Sequence, residues 1–340
     1  MKFLMLLIGL MASLKSTAQK QVSKNDIDIK RFGNELIYRS KKGKILKGNY
    51  QIANNDGSYT YVKLTKGKLN GTKRNFDNKN KLKGIQNYKN GKPHGKWVCF
   101  NSYGEPKNIK NYVNGLKHGA WWKKVTTQYS FYIEKTFYNN DEPSGTWTKI
   151  NIDSILLQEK RHFGTNSYIQ KDYFINRQLQ EVQSYVNGKL HGEQLLYSKA
   201  GILLKKNAFK NGVIVKKETY HKNGRPYEIY HYKNGKQHGH CIDYKSSGVK
   251  SYEGTYNTGF KEGVFKQYIG TKGWLYFETT YKNDIATGPH TTYWRNGNIK
   301  HQGEFLNSDR HGIWKFYKMS GILFREITYD RGTQISIKEF

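Results

Sequence analysis

One spacing constrains this chain more than any other feature: an aromatic or aliphatic residue followed by Asn-Gly, or a variant of it, returns about every 24 residues. The segment Tyr88-Lys89-Asn90-Gly91-Lys92-Pro93-His94-Gly95-Lys96-Trp97 recurs as Tyr112-Val113-Asn114-Gly115-Leu116-Lys117-His118-Gly119-Ala120-Trp121. Further copies run from Tyr185 through Gly188 to Gly192 and from Tyr232 through Gly235 to Gly239, and Gly312 and Trp314 hold the same slots in a copy that starts at Phe305. Weaker copies start at Leu64, Tyr138, Phe163, Phe209, Tyr256, Tyr281 and Tyr329, and the intervals between the twelve anchors are 24, 24, 26, 25, 22, 24, 23, 24, 25, 24 and 24. Self-similarity at a fixed period belongs to stacked supersecondary units, so the two or three domains that ~150 residues apiece would suggest give way to one array.

Each unit holds two turn signals. The first is Asn-Gly or a variant, followed four residues later by a second glycine; Asn and Gly accept the positive φ that tight hairpin turns require. The second is a glycine eight residues before the next anchor, as at Gly104, Gly201, Gly224, Gly248, Gly273, Gly297 and Gly321. Between the turns lie short runs rich in Tyr, Trp, Phe, Ile and Thr, such as Trp314-Lys315-Phe316-Tyr317, which is strand composition bounded by turns. No sustained 3.6-residue period appears beyond the first twenty residues, so the chain is expected to be all-β. The architecture predicted is an elongated, solenoid-like single antiparallel meander of ~24-residue hairpin repeats, advancing roughly 9.6 Å per unit. Aromatic rows nine residues after the anchor (Trp97, Trp121, Trp147, Phe265, Trp314) and twelve after it (Phe76, Phe100, Tyr197, Tyr244, Tyr268, Tyr293, Tyr317) are its expected core. They account for much of the aromatic content of 27 Tyr, 16 Phe and 7 Trp.

The array is expected over 64–340 and is irregular at 125–184, where the turn glycine is replaced by Asp141 and Asn166. Residues 126–130 and 153–165 are read there as longer loops, carrying partner contacts or reflecting drift of the repeat. Residues 19–63 read as an N-terminal β cap, within which Gly43 to Tyr50 resembles half a repeat. Before it, a basic start, an apolar run from Phe3 to Leu14 and the small residues Ser16 and Ala18 make residues 1–18 a secretory signal peptide cleaved after Ala18. The mature protein is then expected to be exported: periplasmic, outer-membrane-associated or secreted. A span of ~20 apolar residues, which a transmembrane helix needs, is absent from the sequence.

Candidate chemistry follows the repeat. His94, His118, His191, His238 and His311 share one slot, six after the anchor, where other units carry Asn70, Ser144, Glu262 or Thr287; this marks a turn residue rather than a catalyst. His231, His238, His240 and Cys241 could face one another across a hairpin as metal ligands, but no finger spacing or acidic partner accompanies them. Cys99 and Cys241 fall in strands about six units apart, beyond disulfide reach. No nucleophile elbow, phosphate loop or carboxylate pair is present, so the reading is of no enzyme, no catalytic residue, no cofactor and no metal. The formal net charge of +32 is distributed likewise: Lys89 and Lys233 sit one after the anchor, and Lys68, Lys92, Lys189 and Lys236 four after it, along one margin of turns. Such a margin either keeps a long sheet soluble or attracts an extended anionic surface. Nucleic acid is not expected, because no RRM, OB or helix-turn-helix pattern is present and export removes the chain from it.

The unit Tyr-x-Asn-Gly-Lys-x-His-Gly-x-Trp resembles the MORN repeat, in the bacterial variant typified by the YwqK family; the resemblance covers roughly Leu64 to Gly332. It implies a repeat scaffold, and members of that family are described as antitoxin components of toxin–antitoxin modules. MORN proteins are also associated with lipid binding and protein scaffolding. An antitoxin acting on a cytoplasmic toxin has no use for the leader seen here. The function expected is thus a non-catalytic, exported scaffold for an unidentified protein partner, antitoxin- or immunity-like. The alternative is peripheral binding to an anionic membrane lipid or envelope glycan through the lysine margin. Expressed with its own leader in a bacterium, the exported chain should begin at Gln19; N-terminal sequencing that reads Met1 would overturn the leader assignment.

Overall fold

The computed structural model describes residues 19–32, 35–128 and 130–340. The leader expected at 1–18 lies outside the described residues. The described chain is all-β, and its one helical element is a 3-10 turn at Lys24–Asp26, where the Ser23 hydroxyl accepts the Asn25 N–H. The residues group into two compact units, one ending at Ser154 and one beginning at Ile155. Their boundary falls inside the interval where the period is irregular. Each unit is an antiparallel meander of β-hairpins.

The two turn signals produce two turn geometries. At the first turns other than Thr165-Asn166 both central residues have positive φ, as at Asn90-Gly91 (52° and 82°), Asn114-Gly115 (51° and 93°) and Asn234-Gly235 (52° and 77°). This is the type I′ hairpin, whose twist matches that of the strands it joins. The glycine seven after the anchor lies in the left-handed region too, with φ of 77° at Gly95 and 72° at Gly119, and bulges the returning strand. Where Gln170 takes that slot, no left-handed residue interrupts strand Ser167–Tyr173, and the register shift against the preceding strand falls between His162 and Gly164, on the outgoing side. At the second turns an Asn, Asp or Ser side chain accepts backbone N–H groups two and four residues on: Asn101 Oδ1 from Tyr103 and Glu105, Asp77 Oδ1 from Lys79 and Lys81. A left-handed residue then closes the loop, with φ of 81° at Gly104 and 62° at Asn80.

The N-terminal residues form a different arrangement. Lys20–Ser23 runs parallel to Gly48–Ala53, and Ile27–Phe32 pairs with Glu35–Ser40 in a separate two-stranded sheet. Ile27, Tyr38, Leu46, Tyr50, Ile52, Val62, Leu64 and Leu69 are buried together beneath this hairpin. Two backbone hydrogen bonds tie it to the first repeat turn: Tyr38 N–H to Gly67 O (2.8 Å) and Gly67 N–H to Leu46 O (2.9 Å).

Two expectations need correction. The aromatic rows do not form one common core. Side chains alternate across a strand, so the row nine after the anchor shares a face with the anchors, while the row twelve after it lies on the other face. There Tyr268 and Tyr293 donate to the carboxylates of Glu253 (2.5 Å) and Glu278 (2.7 Å) instead of stacking on each other. In the first unit the anchor face does carry a continuous ladder through Tyr88, Trp97, Tyr112, Trp121, Tyr138 and Trp147, with centroids 4.8–5.3 Å apart. Those rings stay half-buried, covered by their row neighbours and the strand beneath. Phe265 and Trp314 are fully buried because Gly254 and Gly303 leave a gap in which each ring lies against bare backbone. Residues 156–164, expected in a loop, are a strand, Leu156–Gly164, paired with Ser167–Tyr173. Its polar side chains bond across the pair, as in Gln158 Nε2 to Asp172 Oδ1 (2.7 Å), so hydrophilic composition there marks a sheet surface rather than coil.

Gly303→Ala tests the ring-over-glycine arrangement. Its φ permits alanine, but the new methyl would run into the Trp314 indole. A loss of about 1–3 kcal/mol is expected in urea unfolding followed by tryptophan fluorescence; an unchanged midpoint would refute it.

Candidate functional site

The first turns are stacked, and the backbone does the stacking. The N–H of the second turn residue donates to a carbonyl of the preceding turn: Gly91 to Leu69 O, Gly115 to Pro93 O and Asp141 to Lys117 O in the first unit (2.7, 2.7 and 2.9 Å). In the second unit Gly188 bonds Asn166 O, Gly212 bonds Leu190 O and Gly259 bonds Gln237 O, at 2.7, 2.7 and 2.8 Å. In the first unit, and in the second on either side of the step from the Asn211-Gly212 turn to the Asn234-Gly235 turn, the bonded turns therefore form a margin. Asp141 replaces a glycine in that series and adds a bond of its own, its Oδ1 accepting the Lys117 N–H at 2.7 Å; Asp284 does the same for Lys261 at 2.6 Å.

The candidate lysines lie on these margins, three in each unit. Lys89 stands directly across the hairpin from Lys92, and Lys233 from Lys236, so each pair presents two ammonium groups at one turn. Lys189 faces Val186 and Lys68 faces Thr65. Lys89, Lys92, Lys189, Lys233 and Lys236 are exposed, while Lys68 is half-buried. The turn glycine of the next repeat makes room for the lysine stem. A Cβ at Gly91 would touch Lys68, and one at Gly115, Gly212 or Gly259 would touch Lys92, Lys189 or Lys236, all within 3.4–3.9 Å. The glycines thus set a lysine against each following turn, with its charged end at the surface.

The shared histidine slot has a structural explanation. The Nδ1 of His94, His191 and His238 each accepts the N–H of the first central residue of the next turn (Asn114, Asn211 and Thr258, 3.4 Å). Asn70 Oδ1 and Glu262 Oε2 accept equivalent bonds at 3.2 and 3.3 Å, which is why an acceptor of another kind can substitute. His231, one of the metal candidates, donates instead to His240 O of its own hairpin at 2.9 Å, the bond that Asn87 makes to Lys96 O in another repeat. Among the described residues no three His, Cys, Asp or Glu side chains converge as a metal site. Cys99 and Cys241 are free thiols, and burial pushes that of Cys241 up to about 11, away from thiolate chemistry.

Two groups escaped the sequence reading. The first is a cation five residues after the anchor, lying over the ring nine after that anchor and the anchor ring of the next repeat. Lys117 lies 5.3 Å from the centroid of Trp121 and 4.9 Å from that of Tyr138. Lys261 lies 5.3 and 4.9 Å from Phe265 and Tyr281, and Arg310 lies 4.5 and 5.4 Å from Trp314 and Tyr329. The signal was a cation four residues before an aromatic in one register of the repeat. The second is a pair of histidines outside the common slot. His290 bonds Thr279 Oγ1 (2.7 Å) and Thr292 Oγ1 (3.0 Å), both on buried residues, and its ring is 5.7 Å from that of His301.

Residues 286–307 match the family described as MORN repeat variant. The second unit therefore carries a MORN repeat variant, set in a β-hairpin repeat fold. No curated protein matches the chain. Among solved structures it is similar to a chain in the crystal structure of TcdB2-TccC3-Cdc42, at 10% identity and a TM-score of 0.15, covering 87% of this chain. The match covers 20% of that chain, so the protein spans about a fifth of its length, and a likeness of this grade carries no argument.

The His290–His301 pair makes stability pH-dependent. Burial first, then Arg310, pushes His290 down to about 4; burial, His290, Arg310 and Lys300 push His301 down to about 4. An unfolded imidazole takes up its proton near pH ~6.5. The unfolded chain therefore binds more protons between the two values, so this contribution is complete above pH ~6.5 and is lost as pH falls toward 4. From pH 7 to 4.5 the wild type should lose more Tm than a His290→Gln/His301→Gln variant; equal losses would refute the assignment.

Proposed function

We propose that the chain is a non-catalytic, exported scaffold that binds an acidic protein partner along its margins of stacked first turns. The observation that carries this reading is the pair of opposed lysines at Lys89/Lys92 and at Lys233/Lys236. Like charges placed directly opposite across a hairpin are destabilising on their own, and carboxylates of a partner would relieve that repulsion. The turn-to-turn hydrogen bonds support it further, because they hold the lysines of a unit in a fixed series that a complementary surface can meet without an ordering penalty. An antitoxin- or immunity-like role of the YwqK type is the case in which the partner is a toxin outside the cytoplasm. A second reading, attachment to an anionic membrane or envelope glycan, rests on the same lysines; it is favoured by their recurrence along a line rather than in a patch.

Tagged wild-type protein and a Lys89→Glu/Lys92→Glu/Lys233→Glu/Lys236→Glu variant, used as bait on envelope extracts, separate the two readings. One acidic protein should be recovered in stoichiometric amount by the wild type and weakened at least about tenfold by the variant. Recovery of no specific protein, together with lysine-dependent and salt-sensitive binding to phosphatidylserine vesicles, would replace the first reading by the second.

A further inference from the structure

The ladder of the first unit does more than hold strands together. Successive rings from Tyr88 to Trp147 are tilted 47–59° to one another, and their spacing of 4.8–5.3 Å is about the advance of one sugar ring in a linear polysaccharide. At Trp121, Tyr138 and Trp147 the row borders a surface groove of about 380 Å³. The other wall of the groove is polar, with Asn108, Lys110 and the Lys123–Glu134 ion pair (2.9 Å). Strand pairing puts these walls on one face, since Trp121 stands opposite Thr136, Lys123 opposite Glu134 and Asn108 opposite Lys123. Lys110 and Lys117 lie 5.2 and 5.3 Å from the Trp121 centroid, so positive charge sits on the aromatic wall itself.

We propose that this groove, continued by the ladder, is a binding site for a linear uronic-acid-bearing polysaccharide that runs across the strands. The aromatic wall takes the C–H face of a sugar, and Lys110 and Lys117 meet its carboxylate. Asn108 and Glu134 hydrogen-bond hydroxyl groups. The mixture of charges selects the occupant. An apolar protein surface would leave these ammonium groups desolvated and unpaired. The bases of a single-stranded nucleic acid would stack well on the rings, but its phosphates would meet Glu134, whereas a sugar hydroxyl donates to it. This site lies on the ladder face, apart from the Lys89/Lys92 turn.

The test is a calorimetric titration of the full chain with oligogalacturonate, with cello-oligosaccharide and oligo-dT as comparators. Saturable binding is expected for oligogalacturonate and at least about tenfold weaker binding for the other two. Trp147→Ala and Lys110→Gln should each weaken it about tenfold, and Lys89→Gln/Lys92→Gln should leave it unchanged. Far-UV circular dichroism checks that each variant is folded, and Lys110→Gln keeps the test valid if Trp147→Ala is not. Absence of saturable binding, equal affinity for cello-oligosaccharide or oligo-dT, or loss on Lys89→Gln/Lys92→Gln with no effect of Lys110→Gln would each overturn the proposal.

Discussion

Most of this protein's regularity depends on one short contact, the backbone hydrogen bond that most first turns make to the turn before them. Gly115 N–H reaching Pro93 O at 2.7 Å is the pattern. Strand pairing alone fixes neighbouring strands but leaves the ends of successive hairpins free to splay. The turn bond removes that freedom, and it demands positive φ at both central residues, since only the I′ geometry aims the N–H along the margin. The Asn-Gly pair, the histidine acceptor at the bulge and the glycine that lets the lysine stem lie flat are consequences of that contact. Asp141 and Asp284 show the contact surviving loss of the glycine, because the aspartate compensates with a side-chain bond to the same neighbouring turn.

Stacking of this kind distributes function along lines instead of gathering it in a pocket. Within each unit, repeats contribute the same slot to the same margin or face, so a residue type that recurs there becomes a row. Within a unit, lysines at the turns line one margin and rings lie on the anchor face, with Lys117 in the first unit and Lys261 and Arg310 in the second marking places where positive charge is laid over rings. Of the imidazoles at the bulges, the most conspicuous candidates for chemistry, those of His94, His191 and His238 are instead occupied in holding turns together.

Much of the fold was legible because the features that build it are local. Asn-Gly reports a turn through φ preference, and the glycine seven after the anchor reads as part of that turn, whereas it lies in the left-handed region of the returning strand. The rows of lysine were legible because they repeat in phase with the turns. The opposed pairing of Lys89 with Lys92 was less so, as it depends on the register closing across a two-residue loop. The strand Leu156–Gly164 was missed because its polar residues are satisfied by cross-strand bonds that no single segment displays.

By itself the sequence determined the repeat, its period, its turn types and the margins on which the turn lysines lie. Those properties follow from backbone preferences of individual residues and from counting. The tertiary structure decided which rings are buried, which lie beneath a cation and which face each row occupies. Phe265 and Trp314 disappear into the sheet only because Gly254 and Gly303 come to lie beneath them. His290 is driven away from its ordinary protonation only because the packed strands bury it and bring Arg310 near it. Those outcomes are set by strand register across each bulge, where a shift of one residue sends a side chain to the other face.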